Sequence, residues 1–275
     1  MRNWLPDDLR SDLRLYRRLV GSRLRSQMQY RASFMTMMIV TGFGLFAELI
    51  ATAILLNRFG DLAGWGIGEV ALLYGLASVS FGLGELAGAG FDAFPATIRR
   101  GEFDHVLLRP AGAFMQVLSA DFQLRRLGRI GQGIVALGLA FSWTSIDWTP
   151  LKMLFLGVTL ISGMVMFIAL FVFGAALCFW TVESIEVINS VTDGGNVLAS
   201  YPLPIYHELM QRVFTFIIPL AFVSYIPAVY LLDRPEANDW PSWLPLLSPL
   251  AALLLALAAR VAWGVGVRHY RSTGS

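Results

Sequence analysis

Several apolar segments of this sequence are long enough to cross a lipid bilayer as helices. The hydrocarbon core of a bilayer is about 30 Å thick, so a spanning helix needs roughly 20 apolar residues. Six segments reach or approach this length: 33–56, 70–91, 130–143, 153–180, 214–232 and 244–263. The third is short, and we expect its helix to begin near Leu124. The sequence therefore predicts an all-α membrane protein with six transmembrane helices.

The charge content agrees with this class. Only 15% of the 275 residues are charged and 56% are hydrophobic, whereas a soluble domain carries about 25% charged residues. We expect a single transmembrane domain over residues 1–275, with a cytoplasmic start at 1–32, six spans within 33–264 and a cytoplasmic tail at 265–275. The net charge of +2 gives no indication of a nucleic-acid partner. Cys178 is the only cysteine, which excludes an internal disulfide and a cysteine metal cluster.

The arginines predict the orientation. Residues 1–32 hold eight arginines and residues 92–129 hold six, whereas the linkers 57–69, 144–152 and 233–243 hold one basic residue each. Loops rich in Lys and Arg stay on the cytoplasmic side of a membrane. We therefore expect both termini and the linker 92–129 to lie in the cytoplasm, in a protein of the plasma (inner) membrane.

The N-terminal residues have the pattern of an amphipathic helix. Leu5, Leu9, Leu13, Tyr16 and Val20 recur at helical spacing, and arginines occupy the other faces. This pattern is typical of a helix that lies along the membrane interface. A solvated basic tail is the alternative.

The linker between the second and third spans carries a dense polar segment. Pro95 is expected to break the second span, and residues 96–108 are expected to form a short cytoplasmic helix that Pro110 ends. Its apolar face holds Phe103, Val106 and Leu107. Its polar side chains are those of Arg99, Arg100, Glu102, Asp104 and His105. Such a helix suits contact with a partner protein, while the alternative is a solvated loop whose charges only enforce topology.

The segment 100–110, which reads Arg-Gly-Glu-Phe-Asp-His-Val-Leu-Leu-Arg-Pro, resembles the signature of ABC transporter permeases of the ABC-2 class, in a subgroup with six spans. Weaker similarity lies in 201–206 and 219–227. The resemblance implies the membrane subunit of an ATP-driven exporter. It also implies that residues 98–108 form a coupling helix that enters a groove of the ATPase. The implied contact residues are Arg99, Arg100, Glu102, Phe103, Asp104, His105, Val106, Leu107 and Arg109.

The same resemblance implies the partners. They are an ABC ATPase dimer and a second permease subunit, either identical or related, in contact with membrane lipid. The nucleotide-binding sequence Gly-x-x-x-x-Gly-Lys-Ser/Thr is absent from this chain, whose only lysine is Lys152. We therefore expect ATP and magnesium on the ATPase and no cofactor, metal or enzymatic activity in this chain. His105, His207 and His269 are scattered and form no catalytic motif.

Two acidic residues lie inside predicted spans. Glu48 is in the first span and Glu85 is in the second, where a charge costs at least about 2.5 kcal/mol. They line a substrate path or bind a cationic substrate in one interpretation, and pair with groups of the bundle in the other. An ion-coupled secondary carrier that uses these acids, and a membrane scaffold or enzyme without an ATPase, are the alternative functions.

Glycines and prolines lead to three further expectations. Gly84 and Gly88, with Gly82 and Gly90 beside them, allow close helix packing, either within one subunit or at a dimer seam. The fourth helix is expected to continue beyond residue 180 and to break at Asp193-Gly194-Gly195. Pro219 and Pro227 are expected to kink the fifth span.

Overall fold

The computed structural model describes residues 61–109, 112–122, 124–181, 185–234, 241 and 243–270, together with isolated positions 21, 35, 36, 43, 47, 50, 51 and 54. The predicted amphipathic helix, nearly all of the predicted first span and Glu48 lie outside this set. Those predictions stay predictions.

The described part of the chain is helical and contains no strand, apart from one isolated bridge between Leu62 and Trp65. Its α-helices are α1 (Ile67–Asp92), α2 (Phe94–Arg99), α3 (Phe103–Leu108), α4 (Ala113–Leu118), α5 (Leu127–Trp143), α6 (Pro150–Leu177), α7 (Ile185–Ala199), α8 (Glu208–Arg212), α9 (Tyr225–Leu231) and α10 (Ser248–His269). Shorter 3-10 turns cover Leu124–Arg126, Leu203–Ile205, Leu220–Phe222 and Pro245–Leu247, and Val213–Ile217 is π-helical.

Helix α1 is the centre of the bundle. Every residue from Val70 to Gly82 is buried, as expected for a helix that is apolar on all sides. It packs along α5 and α6, and α10 packs along α6 as well. Two ends of the bundle are distinguished below. We name the end near residues 92–126 the linker end, and the end near residues 61–69 the loop end.

Glycines allow α1 to approach its neighbours closely. A Cβ atom at Gly82 would lie 2.8 Å from Ile130 of α5, and one at Gly84 would lie 2.9 Å from Phe167 of α6. Gly88 likewise faces Ile168 of α6. These glycines are therefore used for packing within the subunit, which was one of the two sequence interpretations.

Gly90 gives the sharpest prediction about packing. A Cβ atom there would lie 1.7 Å from the carbonyl oxygen of Val117, so the backbone of α4 would have to move. We expect Gly90→Ala to lower the free energy of unfolding by about 1–3 kcal/mol, the usual cost of overpacking. The control is Gly138→Ala, because a Cβ there has no atom within 4 Å and alanine favours helix. Thermal unfolding in detergent tests this, and equal midpoints for the two variants would contradict it.

Three helices of the described part of the chain could cross a membrane by length and composition. Among the described residues, Ile67–Arg99, Pro150–Leu177 and Pro245–His269 are long and apolar enough to span a membrane. Helix α5 begins directly after the 3-10 turn at Leu124–Arg126, as predicted, and its 17 residues extend about 26 Å. These helices make the chain a membrane-integral protein, whereas six crossings remain a prediction.

The prediction of the fifth span as one kinked helix is wrong. Residues 214–232 do not form one kinked helix, because Glu208–Ile217 and Leu220–Leu231 are bent by 75° relative to each other. Pro219 lies at this bend, where its missing N–H cannot continue a helix. Pro227 causes no kink, since it lies in the first turn of α9, where no intrahelical donor is needed.

The chain after α6 also differs from the prediction. Helix α6 ends at Leu177 rather than continuing, and α7 runs unbroken through Asp193, Gly194 and Gly195. Gly195 has a packing role there, because a Cβ atom would lie 2.7 Å from Leu220. The glycine pair therefore permits a close contact instead of ending the helix.

Candidate functional site

The linker between α1 and α5 forms short helices instead of the single helix predicted over 96–108. Helices α2 and α3 are separated by Arg100, Gly101 and Glu102. Gly101 has a φ of +66°, in the left-handed region that favours glycine, and its N–H donates to the carbonyl of Ile98. This glycine ends α2 in the way that glycines commonly end helices. The prediction was wrong because it overlooked this signal.

Phe103 fixes α3 to the bundle. Its side chain is completely buried, and its ring centroid lies 5.2 Å from Phe94, 5.4 Å from Phe179 and 5.0 Å from Tyr270. The sequence interpretation placed Phe103 with Val106 and Leu107 on one face toward a partner. The structure separates them, because Phe103 is buried, Val106 is partly buried and Leu107 is exposed.

Phe103 belongs to a larger group of rings that we name the aromatic cluster. Its members are Phe91, Phe94, Phe103, Phe114, Phe179, Trp263 and Tyr270. They come from α1 to α4, from the turn after α6, and from α10 and the residue that follows it. The first turn of α3 is therefore packed against the turn after α6 and against α10.

One hydrogen bond adds to this attachment. Gln116 of α4 is buried, and its Nε2 donates to the carbonyl of Val106 at 2.9 Å. Burial, with the neighbouring Asp104 carboxylate, raises the pKa of the Tyr270 hydroxyl. Helix α3 is thus held at its first turn by Phe103 and at its last turn by Gln116.

The opposite side of the linker is open to solvent. We name it the linker surface, and it consists of Arg99, Arg100, Glu102, His105, Leu107, Leu108 and Arg109. Leu107 is 45% exposed and Leu108 is 81% exposed. Apolar side chains rimmed by charged ones are typical of a protein-binding site. The sequence analysis did not include Leu108 among the contact residues. The structure shows that Leu108 is more exposed than its neighbour Leu107.

Glu85 pairs with two arginines. Its carboxylate lies 3.7 Å from Arg126 and 3.5 Å from Arg129, and the Arg126 Nη1 also donates to the Glu85 carbonyl at 3.0 Å. Arg126 also approaches Asp92 and Asp121 at 3.5 and 3.8 Å. The structure thus favours pairing within the bundle over a Glu85 carboxylate that is available to a cation. The sequence analysis did not match these arginines with the acid, because the contacts span about forty residues of chain.

The loop end carries a second set of ion pairs, which we name the loop clamp: Glu69, Lys152, Asp233 and Arg234. The Arg234 Nη1 lies 2.8 and 2.7 Å from the two carboxylate oxygens of Glu69, and its guanidinium lies 4.3 Å from the Trp65 ring. The Lys152 Nζ donates to Asp233 at 2.5 Å and to the Leu231 carbonyl at 3.0 Å. These contacts attach the chain after α9 to the starts of α1 and α6.

The histidines in the described part of the chain have separate local roles. His207 caps α8 by accepting a hydrogen bond from the Leu209 N–H at 3.3 Å, and His269 stacks on Trp180 at 5.5 Å. Within the residues that the structure describes, no three His, Cys, Asp or Glu side chains are grouped to hold a metal ion.

Residues 43–274 match the family described as ABC-2 family transporter protein. This match includes the linker surface, the aromatic cluster and the loop clamp. No curated protein and no solved structure matches the chain.

Proposed function

The chain belongs to the ABC-2 family of transporter proteins, and from this premise we propose that it is the permease subunit of an ATP-driven exporter. Two such subunits, identical or related, enclose the substrate path. A separate ATPase dimer binds ATP and magnesium and contacts the linker surface on the cytoplasmic side. The resemblance of segment 100–110 to ABC-2 permeases supports export of an amphiphilic or bulky substrate.

The observation that carries this proposal is the construction of α3. One side exposes Leu107 and Leu108, and the other side buries Phe103 among rings of the turn after α6 and of α10. A helix of six residues has little stability by itself. Its attachments make it move with the bundle, so that a force on the linker surface displaces the long helices.

The pairing of Glu85 weighs against the main alternative. An ion-coupled carrier needs an acid that gains and loses its ion during transport. Glu85 is held by Arg126 and Arg129, so its carboxylate already has two cationic partners within the bundle. Glu48, the other acid considered for such a role, lies outside the described residues.

Substitutions on the linker surface test the proposal. We expect Leu107→Asp with Leu108→Asp to reduce retention of the ATPase roughly tenfold during purification of the complex, since exposed leucines at an interface centre contribute about 1–2 kcal/mol together. The thermal midpoint of the permease should stay unchanged, because both side chains are exposed.

The matched control is Leu151→Asp. Leu151 is 60% exposed and lies in the first turn of α6 at the loop end, where a negative charge favours the helix start. This variant should retain the ATPase as the native chain does. Full ATPase retention by the linker variant, with undiminished ATP-driven transport, would remove the linker surface from the proposed contact.

A further inference from the structure

Helix α10 has an apolar face that the described part of the chain leaves uncovered. Only 22% of its most apolar stretch is buried, compared with 78% for Ile67–Arg99 and 61% for Pro150–Leu177. Its exposed apolar side chains recur at intervals of three and four residues, which places them on one side of the helix. They are Leu250, Leu253, Leu254, Leu257 and Val261, each between 48% and 65% exposed.

Arg260 adds a positive charge to the edge of this face. Its side chain is exposed, and its guanidinium carbon lies 5.6 Å from the centre of the Phe114 ring in α4. Among the residues that the structure describes, no carboxylate lies within ion-pair distance of Arg260. An aromatic ring attracts a cation through its face and accepts none of the charge-assisted hydrogen bonds that a guanidinium offers to an anion.

The charged residues of α1 indicate the depth of Arg260 in the membrane. Helix α1 rises about 34 Å from Glu69 in the loop clamp to Asp92 at the linker end. The hydrocarbon core of a bilayer is about 30 Å thick, so the two carboxylates lie near its two boundaries. The Phe114 ring beside Arg260 lies 4.9 Å from the ring of Phe91, the neighbour of Asp92. Arg260 therefore lies at the depth of the lipid head groups at the linker end.

The apolar face below Arg260 has the length of one leaflet. Helix α10 rises about 15 Å from Leu250 to Arg260, and half of the hydrocarbon core is also about 15 Å. The face is aliphatic over this distance and ends at a cation. This order of groups is complementary to a single lipid molecule, with its acyl chains beside the leucines and its phosphate beside the guanidinium.

We propose that Arg260 binds the phosphate of an anionic phospholipid in the leaflet at the linker end, and that the acyl chains of this lipid lie along Leu250, Leu254 and Leu257. This leaflet is the cytoplasmic one in the predicted orientation. An arginine is always charged in proteins and pairs with phosphate through parallel N–H donors. A cation that faces lipid without an anion is costly, and the phosphate offsets this cost.

The site lies where α10 meets the linker. Phe114 belongs to α4, and Gln116 of the same helix donates a hydrogen bond to the carbonyl of Val106 in α3. A ligand that binds only the folded chain stabilises it. We therefore expect anionic lipid to stabilise the packing of the linker on α10.

Fluorescence quenching in vesicles tests the site. The native thiol is removed by Cys178→Ala, and a bimane label is attached to Leu253→Cys. Leu253 is 53% exposed and lies about 10 Å below Arg260, two turns earlier on the same flank of α10. The vesicles consist of phosphatidylcholine with a small fraction of either phosphatidylglycerol or phosphatidylcholine whose acyl chains carry bromine, which quenches the label on contact.

We expect phosphatidylglycerol to bind beside Leu253 roughly fivefold more tightly than phosphatidylcholine, because one arginine near the surface contributes about this much to the attraction of an anionic lipid. Arg260→Met and Arg260→Gln should each abolish this preference. Arg260→Lys should keep most of it, since the charge remains. The matched control is a label at Ile161→Cys, which is 62% exposed on α6 and should show no preference in any of these chains.

Equal quenching by the two lipids at Leu253→Cys would overturn the site, and so would a preference that survives Arg260→Met. Quenching by neither lipid would mean that a second subunit or another part of the chain covers this face, which contradicts the inference. Loss of the preference on addition of free glycerol phosphate would assign the site to phosphate without lipid. Thermal midpoints in phosphatidylcholine verify that the variants are folded. The labelled chain needs no ATPase, so the outcome is independent of the proposed function.

Discussion

Replacing Phe103 with alanine is expected to lower the free energy of unfolding by about 3–5 kcal/mol, the usual cost of removing a buried aromatic ring. Phe103 is completely buried and contacts rings from α2, the turn after α6, α10 and Tyr270. Its loss leaves a hole in the middle of the aromatic cluster, where backbone from several helices prevents collapse. Thermal unfolding of the purified chain in detergent measures this effect.

The same substitution should also separate ATP hydrolysis from movement of the bundle. The linker surface keeps its exposed side chains in Phe103→Ala, so a bound ATPase remains, but α3 no longer moves rigidly with α10. The control is Leu108→Ala, whose side chain is 81% exposed and which should leave the unfolding midpoint unchanged. Equal midpoints for the two variants would show that Phe103 does not anchor the linker.

Replacing Arg234 with methionine is expected to cost about 3 kcal/mol, at the lower end of the range for removing one partner of a buried ion pair. The Arg234 side chain is 14% exposed and that of Glu69 is 25% exposed. The variant loses both contacts to the Glu69 carboxylate and the stacking on Trp65. It also leaves a partly buried carboxylate without its cation.

An exposed ion pair elsewhere in the chain provides the control. Arg212 lies 3.6 Å from Glu208, one helical turn away, and both side chains are at least 75% exposed. We expect Arg212→Met to cost about 0.3–0.5 kcal/mol. The double variant Glu69→Met with Arg234→Met should recover part of the lost stability, because no unpaired charge remains. Equal unfolding midpoints for Arg234→Met and Arg212→Met would refute a stabilising loop clamp.

The elements that the sequence predicted well depend on local, one-dimensional signals. Helix α6 and helix α10 follow from continuous apolar runs, and the early start of α5 near Leu124 follows from the shortness of its apolar segment. The buried state of Cys178, which is 2% exposed, was also expected from its apolar surroundings. In each case neighbouring residues alone determine the structure.

The elements that could not be predicted from the sequence depend on contacts between distant residues. The segment 214–232 is apolar throughout, so composition suggests one helix, whereas Glu208–Ile217 and Leu220–Leu231 are bent by 75° relative to each other. Asp193, with Gly194 and Gly195, was expected to end a helix, whereas α7 runs through all three residues. The role of Phe103 was reversed for the same reason, because its partners Phe179 and Tyr270 are more than seventy residues away in the sequence.

Specific side-chain contacts hold the bundle together at both of its ends. The aromatic cluster connects the linker to α6 and α10, and the loop clamp connects the chain after α9 to α1 and α6. Between these two sets of contacts, the chain bends by 75° from Glu208–Ile217 to Leu220–Leu231.

The most direct test is to purify the tagged chain from its native membranes in mild detergent and identify the proteins that remain bound. The account predicts a second polypeptide in amounts comparable to the tagged chain, bearing Gly-x-x-x-x-Gly-Lys-Ser/Thr, and released by Leu107→Asp with Leu108→Asp. Recovery of the chain with no nucleotide-binding protein, together with substrate movement that needs no ATP, would contradict it.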